Sequence, residues 1–151
     1  MATGSPAVAE RPDKLSLVLF SGSYDKVHYA LALAAAALAN NGRATLFFTM
    51  GAARALLAAD AQGPGWRHLA PGENGLAPVD ADAVLTGKGL GGFEELLQAC
   101  LALGGSVMVC EMGLKALGLD PLQLRNDIPI APGGLVTFLT DASAQGAMLF
   151  I

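Results

Sequence analysis

The sequence predicts an α/β fold: a single-domain three-layer sandwich, with a mostly parallel sheet of four to five strands and helices on both faces. Three observations carry this expectation. Leu15–Phe20 (LSLVLF), Ala44–Phe48 (ATLFF), Ser106–Val109 and Ala147–Ile151 are continuous apolar runs rather than alternating ones, the pattern of strands covered on both faces. Helix-length segments lie between these runs. The links are short and rich in turn formers, as in Ser21-Gly22-Ser23, Asn40-Asn41-Gly42 and Gly104-Gly105, which suits strand–helix–strand units in a parallel sheet.

Taken in order, residues 1–13 read as a flexible Ala-, Ser- and Pro-rich tail and 14–151 as the α/β domain. After the first strand, Tyr24–Ala39 is a helix whose Val27, Leu31, Ala34 and Leu38 form one apolar stripe, with Asp25 in the first turn. Its many alanines allow close approach to a sheet or a second helix. The second strand leads through Thr49-Met50-Gly51 into a shorter helix over Ala52–Ala59. From Asp60 to Gly92 the pattern breaks into turn signals around Trp66 and His68, with Ala83–Leu85 as a short extended piece. A loop this long inside a domain is usually functional or mobile. Phe93–Leu103 is a helix ended by Gly104-Gly105. The third strand, Ser106–Val109, runs through Cys110 into a helix over Glu111–Leu117. Asp120–Leu124 reads as a capped helical turn, Ile128–Ile130 as extended, and Pro132–Ala142 as a helix with proline in its first turn.

Composition excludes several classes. A net charge of −4 and the absence of any Lys/Arg cluster argue against a nucleic-acid or anionic-membrane surface. No apolar run approaches the ~18 residues of a membrane span, and the N-terminus lacks a basic-then-apolar signal pattern. Two cysteines, Cys100 and Cys110, give no disulfide framework, so a reducing cytoplasm is expected. Charged residues make up only 15%, low for a monomer surface; part of the apolar surface is expected to be covered in a homo-oligomer. The two histidines have no zinc-spaced cysteine partners, and no cofactor motif is present: no metal and no cofactor are expected.

The candidate chemistry centres on SVMVCEMGLKALGL. Cys110 stands at the C-terminal end of a strand and the start of a helix, where backbone N–H groups at Glu111, Met112 and Gly113 favour a thiolate. Glu111 and the apolar neighbours oppose this, and inert packing stays open. His28 and Lys26, in the first turn of the first helix, are expected at the same edge of the sheet, so that a Cys110–His28 pair is conceivable; both also read as ordinary surface residues. Cys100, mid-helix, reads as an inert small hydrophobe, too far from Cys110 for a disulfide. The run Gly87–Gly92 lacks the Walker spacing and reads as a hinge or lid before an anion loop.

Three stretches carry a family resemblance: LVLFSGSYDKVHYALALAAAALANNGRATLFFTMGAARAL, VMVCEMGLKALGL and GGLVTFLTDASAQGAMLFI. In order and spacing they resemble the DsrE/DsrF-like family of small sulfur-handling proteins. The resemblance implies a compact parallel α/β fold, homo-oligomers, and a cysteine at position 110 that holds sulfur as a persulfide and passes it between donor and acceptor proteins. Asp60–Gly92 has no counterpart in that pattern. Two functions therefore stand as expectations: a sulfur carrier or sulfurtransferase working through Cys110, or a non-enzymatic module that binds a small ligand or protein and uses Cys110 structurally.

Overall fold

The computed structural model describes residues 10–151; residues 1–9 of the expected tail lie outside the described residues. Five strands, β1 (Lys14–Leu19), β2 (Arg43–Phe48), β3 (Ser106–Cys110), β4 (Ala131–Gly133) and β5 (Ala147–Phe150), form one sheet in the order β4-β3-β2-β1-β5. Every pairing is parallel. The α/β sandwich expected from the continuous apolar runs is therefore the observed fold.

Helix α1 spans Tyr24–Ala39, the segment marked by the apolar stripe, and Val27, Leu31, Ala34 and Leu38 are all buried. Its fully buried Ala30 and Ala34 let α3 (Phe93–Ala102) approach, and the Cys100 thiol lies 3.4 Å from the Leu31 carbonyl across that contact. Ala30 and Ala34 thus serve packing inside the domain. Leu17, Leu19, Leu46, Phe48, Val107 and Val109 point from the sheet into the same core.

The alternate residues of those strands face the other way, where Phe47, Met108 and Cys110 pack with Phe138 of α5 (Leu135–Asp141). Among the described residues this seven-residue helix alone covers the second face. Its C-terminal end is pinned by Asp141, which accepts hydrogen bonds from Lys14 Nζ (2.8 Å) and Thr45 Oγ1 (2.7 Å). By register, Met148 and Phe150 of β5 share this face with Ser16 and Val18; both are exposed, Phe150 to 71%, and its ring lies against that of exposed Phe20. The outer residues Leu135, Val136 and Leu139 of α5 are exposed as well.

Several local expectations are corrected. The helix expected over Ala52–Ala59 is a 3₁₀ segment, Met50–Leu56. Asp60–Gly92 is not one loop: it contains a 3₁₀ turn, Gly65–His68, and helix α2 (Pro78–Gly87), so Ala83–Leu85 is helical rather than extended. Tyr24 explains why this region is ordered. Its hydroxyl donates to Asp82 Oδ1 at 2.5 Å, its ring contacts Trp66 and Phe93, and Asp82 also accepts the Phe93 amide. Pro132 does not open a helix but lies in β4, an edge strand with proline tolerated on its free side; the strand begins at Ala131, after Ile128–Ile130. Helix α4 covers Glu111–Ala116. The capped turn is present at Pro121–Gln123: Asp120 Oδ1 accepts from the Leu122 amide while Gln123 Oε1 accepts from the Asp120 amide, both at 2.8 Å. None of the helices among the described residues is long and apolar enough to cross a membrane.

Candidate functional site

Cys110 is the last residue of β3 and the N-cap of α4, with extended backbone (φ −79°, ψ 117°). The chain turns sharply here because Gly113 brings α4 against the end of β2. A Cβ on Gly113 would lie 2.6 Å from both the Met50 amide nitrogen and Thr49 Oγ1. The strand-to-helix junction read from the sequence is therefore real, but its side chain points elsewhere. The thiol has no exposed surface and packs on the α5 side of the sheet with Phe47, Met108 and Phe138. It makes no capping hydrogen bond to α4. The N–H groups expected to hold a thiolate do not meet it in this arrangement.

The remaining candidates are dispersed. His28 Nε2 is 2.8 Å from the Gly91 carbonyl oxygen, and its ring lies near Tyr24. It belongs to α1, on the face opposite Cys110, and β2 separates β1 from β3; the Cys110–His28 pair is not formed. Lys26 is exposed on the same helix. Glu111 and Met112 are exposed, Gly113 buried. Cys100 and Cys110 lie on opposite sides of the sheet, which rules out a disulfide without unfolding. Burial pushes the Cys100 thiol up to about 11, in keeping with an inert packing role.

The Gly87–Gly92 segment connects α2 to α3. His28 holds it through the Gly91 carbonyl, and Asp82 occupies the start of α3 by accepting the Phe93 amide at 2.6 Å. A carboxylate there repels anions, so the anion-loop reading fails. Both anchors lie at the α3 end of the segment. Burial and the Asp82 acceptor push the Tyr24 hydroxyl far above its ordinary range, so the phenol stays protonated and serves as a hydrogen-bonding latch.

A further concavity involves residues that no sequence motif marks. A cavity of about 670 Å³ lies on the α4 side of β3. Val109 and Leu114 form its floor; Leu119, Leu124 and Ile128 form a wall. Glu111, Lys115 and Arg125 bring charge to it. The wall is fixed by backbone hydrogen bonds from Arg125 to Leu56 and from Ala58 to Gln123, both 2.9 Å. Arg125 itself is clamped by Glu94 (2.7 and 2.9 Å) and Asp127 (2.7 Å at both contacts). These carboxylates hold its guanidinium protonated, against the opposing effect of burial. The apolar residues concerned fall at irregular spacings among Pro121, Pro129 and Pro132, so no periodicity announced them.

Fold and site together define an all-parallel α/β protein with one cysteine beneath a short helix and a separate apolar cavity. The uncharacterized protein YrkE of Bacillus subtilis (strain 168) is 26% identical over 166 residues, spanning 95% of this chain and the whole (100%) of that protein. No family model matches.

Proposed function

We propose that this protein is a sulfur carrier of the DsrE/DsrF-like kind, holding sulfur as a persulfide on Cys110. The observation that carries the reading is the position of Cys110 at the C-terminal end of a central parallel strand, beneath a single short helix, α5. Ligands of open parallel sheets gather at that edge, and the resemblance of VMVCEMGLKALGL supports the assignment. Expected surroundings are the cytoplasm, with donor and acceptor proteins and further copies of this chain as partners.

The transfer is a thiol–persulfide exchange. The Cys110 thiolate attacks the terminal sulfur of a donor persulfide, the S–S bond of the donor breaks, and the donor thiolate leaves. The resulting Cys110 persulfide is then attacked at its terminal sulfur by an acceptor thiolate, which regenerates Cys110. No net oxidant or reductant is consumed. Because the thiol is buried, α5 must lift for a donor to reach it. Gly133-Gly134 before the helix and Ala142-Ser143 after it are the flanking segments.

Zero exposure of the thiol favours a second reading, in which Cys110 only packs and the protein is a binding module. One measurement separates them. After incubation with a small persulfide donor, intact mass should rise by about 32 Da, one sulfur atom, in wild type and Cys100→Ala but not in Cys110→Ala. Equal gain in Cys110→Ala, or no gain in wild type while the denatured chain reacts, refutes the carrier reading.

A further inference from the structure

We infer that the cavity between α4 and the segment 119–130 is a binding site for a small amphipathic organic acid, with an apolar body and one anionic head. The inference does not depend on the role of Cys110. Val109 lines the cavity, and successive strand residues point to opposite faces, so the Cys110 thiol lies on the other side of the sheet.

Three observations carry it. The cavity volume of about 670 Å³ falls within the roughly 300–1,000 Å³ typical of small-molecule sites, which are mainly apolar with a few placed polar groups. The lining follows that description, since its floor and wall are aliphatic and charge enters only through Glu111, Lys115 and Arg125.

The second observation is the charge balance. Of the two cations that line the cavity, Arg125 is already paired with Glu94 and Asp127, which leaves Lys115 as the lining cation open to a new partner. The carboxylates that neutralise Arg125, Glu94 and Asp127, line a neighbouring 240 Å³ pocket instead. The exposed Lys115 ammonium forms no ion pair among the described residues, not even with Glu111 one helical turn earlier. An anionic head would complete Lys115 without displacing any existing pair.

The third is preorganisation. The far wall is pinned to the 3₁₀ segment after β2 by the Arg125–Leu56 and Ala58–Gln123 backbone bonds, and the Asp120–Gln123 capping box holds the turn above it. A wall already fixed lowers the ordering cost of binding.

Decanoate and 1-decanol, equal in chain length and different in head group, are the probes. Amide shifts of the ¹⁵N-labelled full-length protein should move saturably at one-to-one stoichiometry with decanoate, clustered at Val109, Leu114, Leu119 and Ile128. Lys115→Met should weaken decanoate about fivefold or more, as expected for a lost charge-assisted contact, and leave decanol nearly unchanged. Cys110→Ala should bind decanoate like wild type, which keeps this result separate from the persulfide test. Ile130 also lines the cavity, and filling it with Ile130→Trp should abolish the shifts. Shifts confined to α5 and β5, or absence of saturation, overturn the site. Equal binding of decanol and decanoate by wild type overturns the acidic head.

Discussion

Phe138 of α5 stacks on Phe47 of β2 with ring centroids 4.6 Å apart and planes inclined by 20°. The Cys110 thiol lies in the same buried cluster, so this pair helps to cover the thiol. Truncating Phe138 to Ala should cost about 3–5 kcal/mol if the site does not collapse. Part of that loss should appear as easier lifting of α5. Each 1.4 kcal/mol lost from the local opening energy should speed labelling of Cys110 by a thiol reagent about tenfold, while Cys100 stays protected. Equal acceleration at both cysteines would mean global unfolding instead.

The other end of α5 is held by charge. Burial pushes the Asp141 carboxyl up, but hydrogen bonds from Lys14 and Thr45 outweigh it and leave the group below the ordinary carboxylate value of 3.8. A depressed native pKa stabilises the folded form above the unfolded value, and that contribution is lost as pH falls through the native value. Below about pH 4, hydrogen exchange at α5 amides should therefore quicken more than at α1 amides. Asp141→Asn should remove the difference in pH response; an unchanged response would sink the assignment.

The thiol of Cys100 carries the opposite sign. Its raised value of about 11, against 9.0 for an ordinary thiol, favours the folded state below pH 9 and loses that contribution as pH rises towards 11. Urea midpoints measured from pH 8 to 11 should fall less steeply for Cys100→Ala than for wild type. Parallel slopes would show that the thiol does not titrate with folding.

Gly113 admits no side chain. The Cβ of Gly113→Ala would meet the Met50 amide nitrogen and Thr49 Oγ1 at 2.6 Å, and both belong to the turn leaving β2. Overpacking of this kind costs about 1–3 kcal/mol. Thermal melting should show the loss, whereas Gly87→Ala, with nothing within 4 Å of the added carbon, should melt close to wild type.

Exposed Val136 and Leu139 on α5, with Phe20, Met148 and Phe150 beside them, leave one face of the sandwich apolar. Self-association through that face is the expected outcome, read by sedimentation velocity. Val136→Glu together with Leu139→Lys should shift the boundary to the monomer without loss of helicity. A monomeric wild type across micromolar concentrations would remove the oligomer from the proposal.

How much of this was legible in the chain depends on the range of the interactions. Local periodicity and caps located Tyr24–Ala39 to the residue, the four principal strands within a residue or two, and the Asp120 turn, because apolar spacing and side-chain capping act within one or two helical turns. Helix α2 was hidden: its Val79 and Val84 are exposed, so it shows no apolar stripe, and neighbouring turn signals masked it. Pro132 looked like a helix start because a proline suits either a helix N-terminus or an edge strand, and only the sheet order distinguishes them.

The sequence by itself determined the layered parallel fold and the placement of Cys110 at a strand-to-helix junction. Tertiary structure decided which way that thiol points. One residue of strand register separates the α5 face, where Cys110 is covered, from the α4 face, where Val109 lines the cavity. It also decided that His28 and Lys26 stand on the other side of the sheet, and it assembled the cavity from residues scattered between Val109 and Pro132. These outcomes depend on how helices and strands dock over long sequence separations, a geometry that local patterning does not encode.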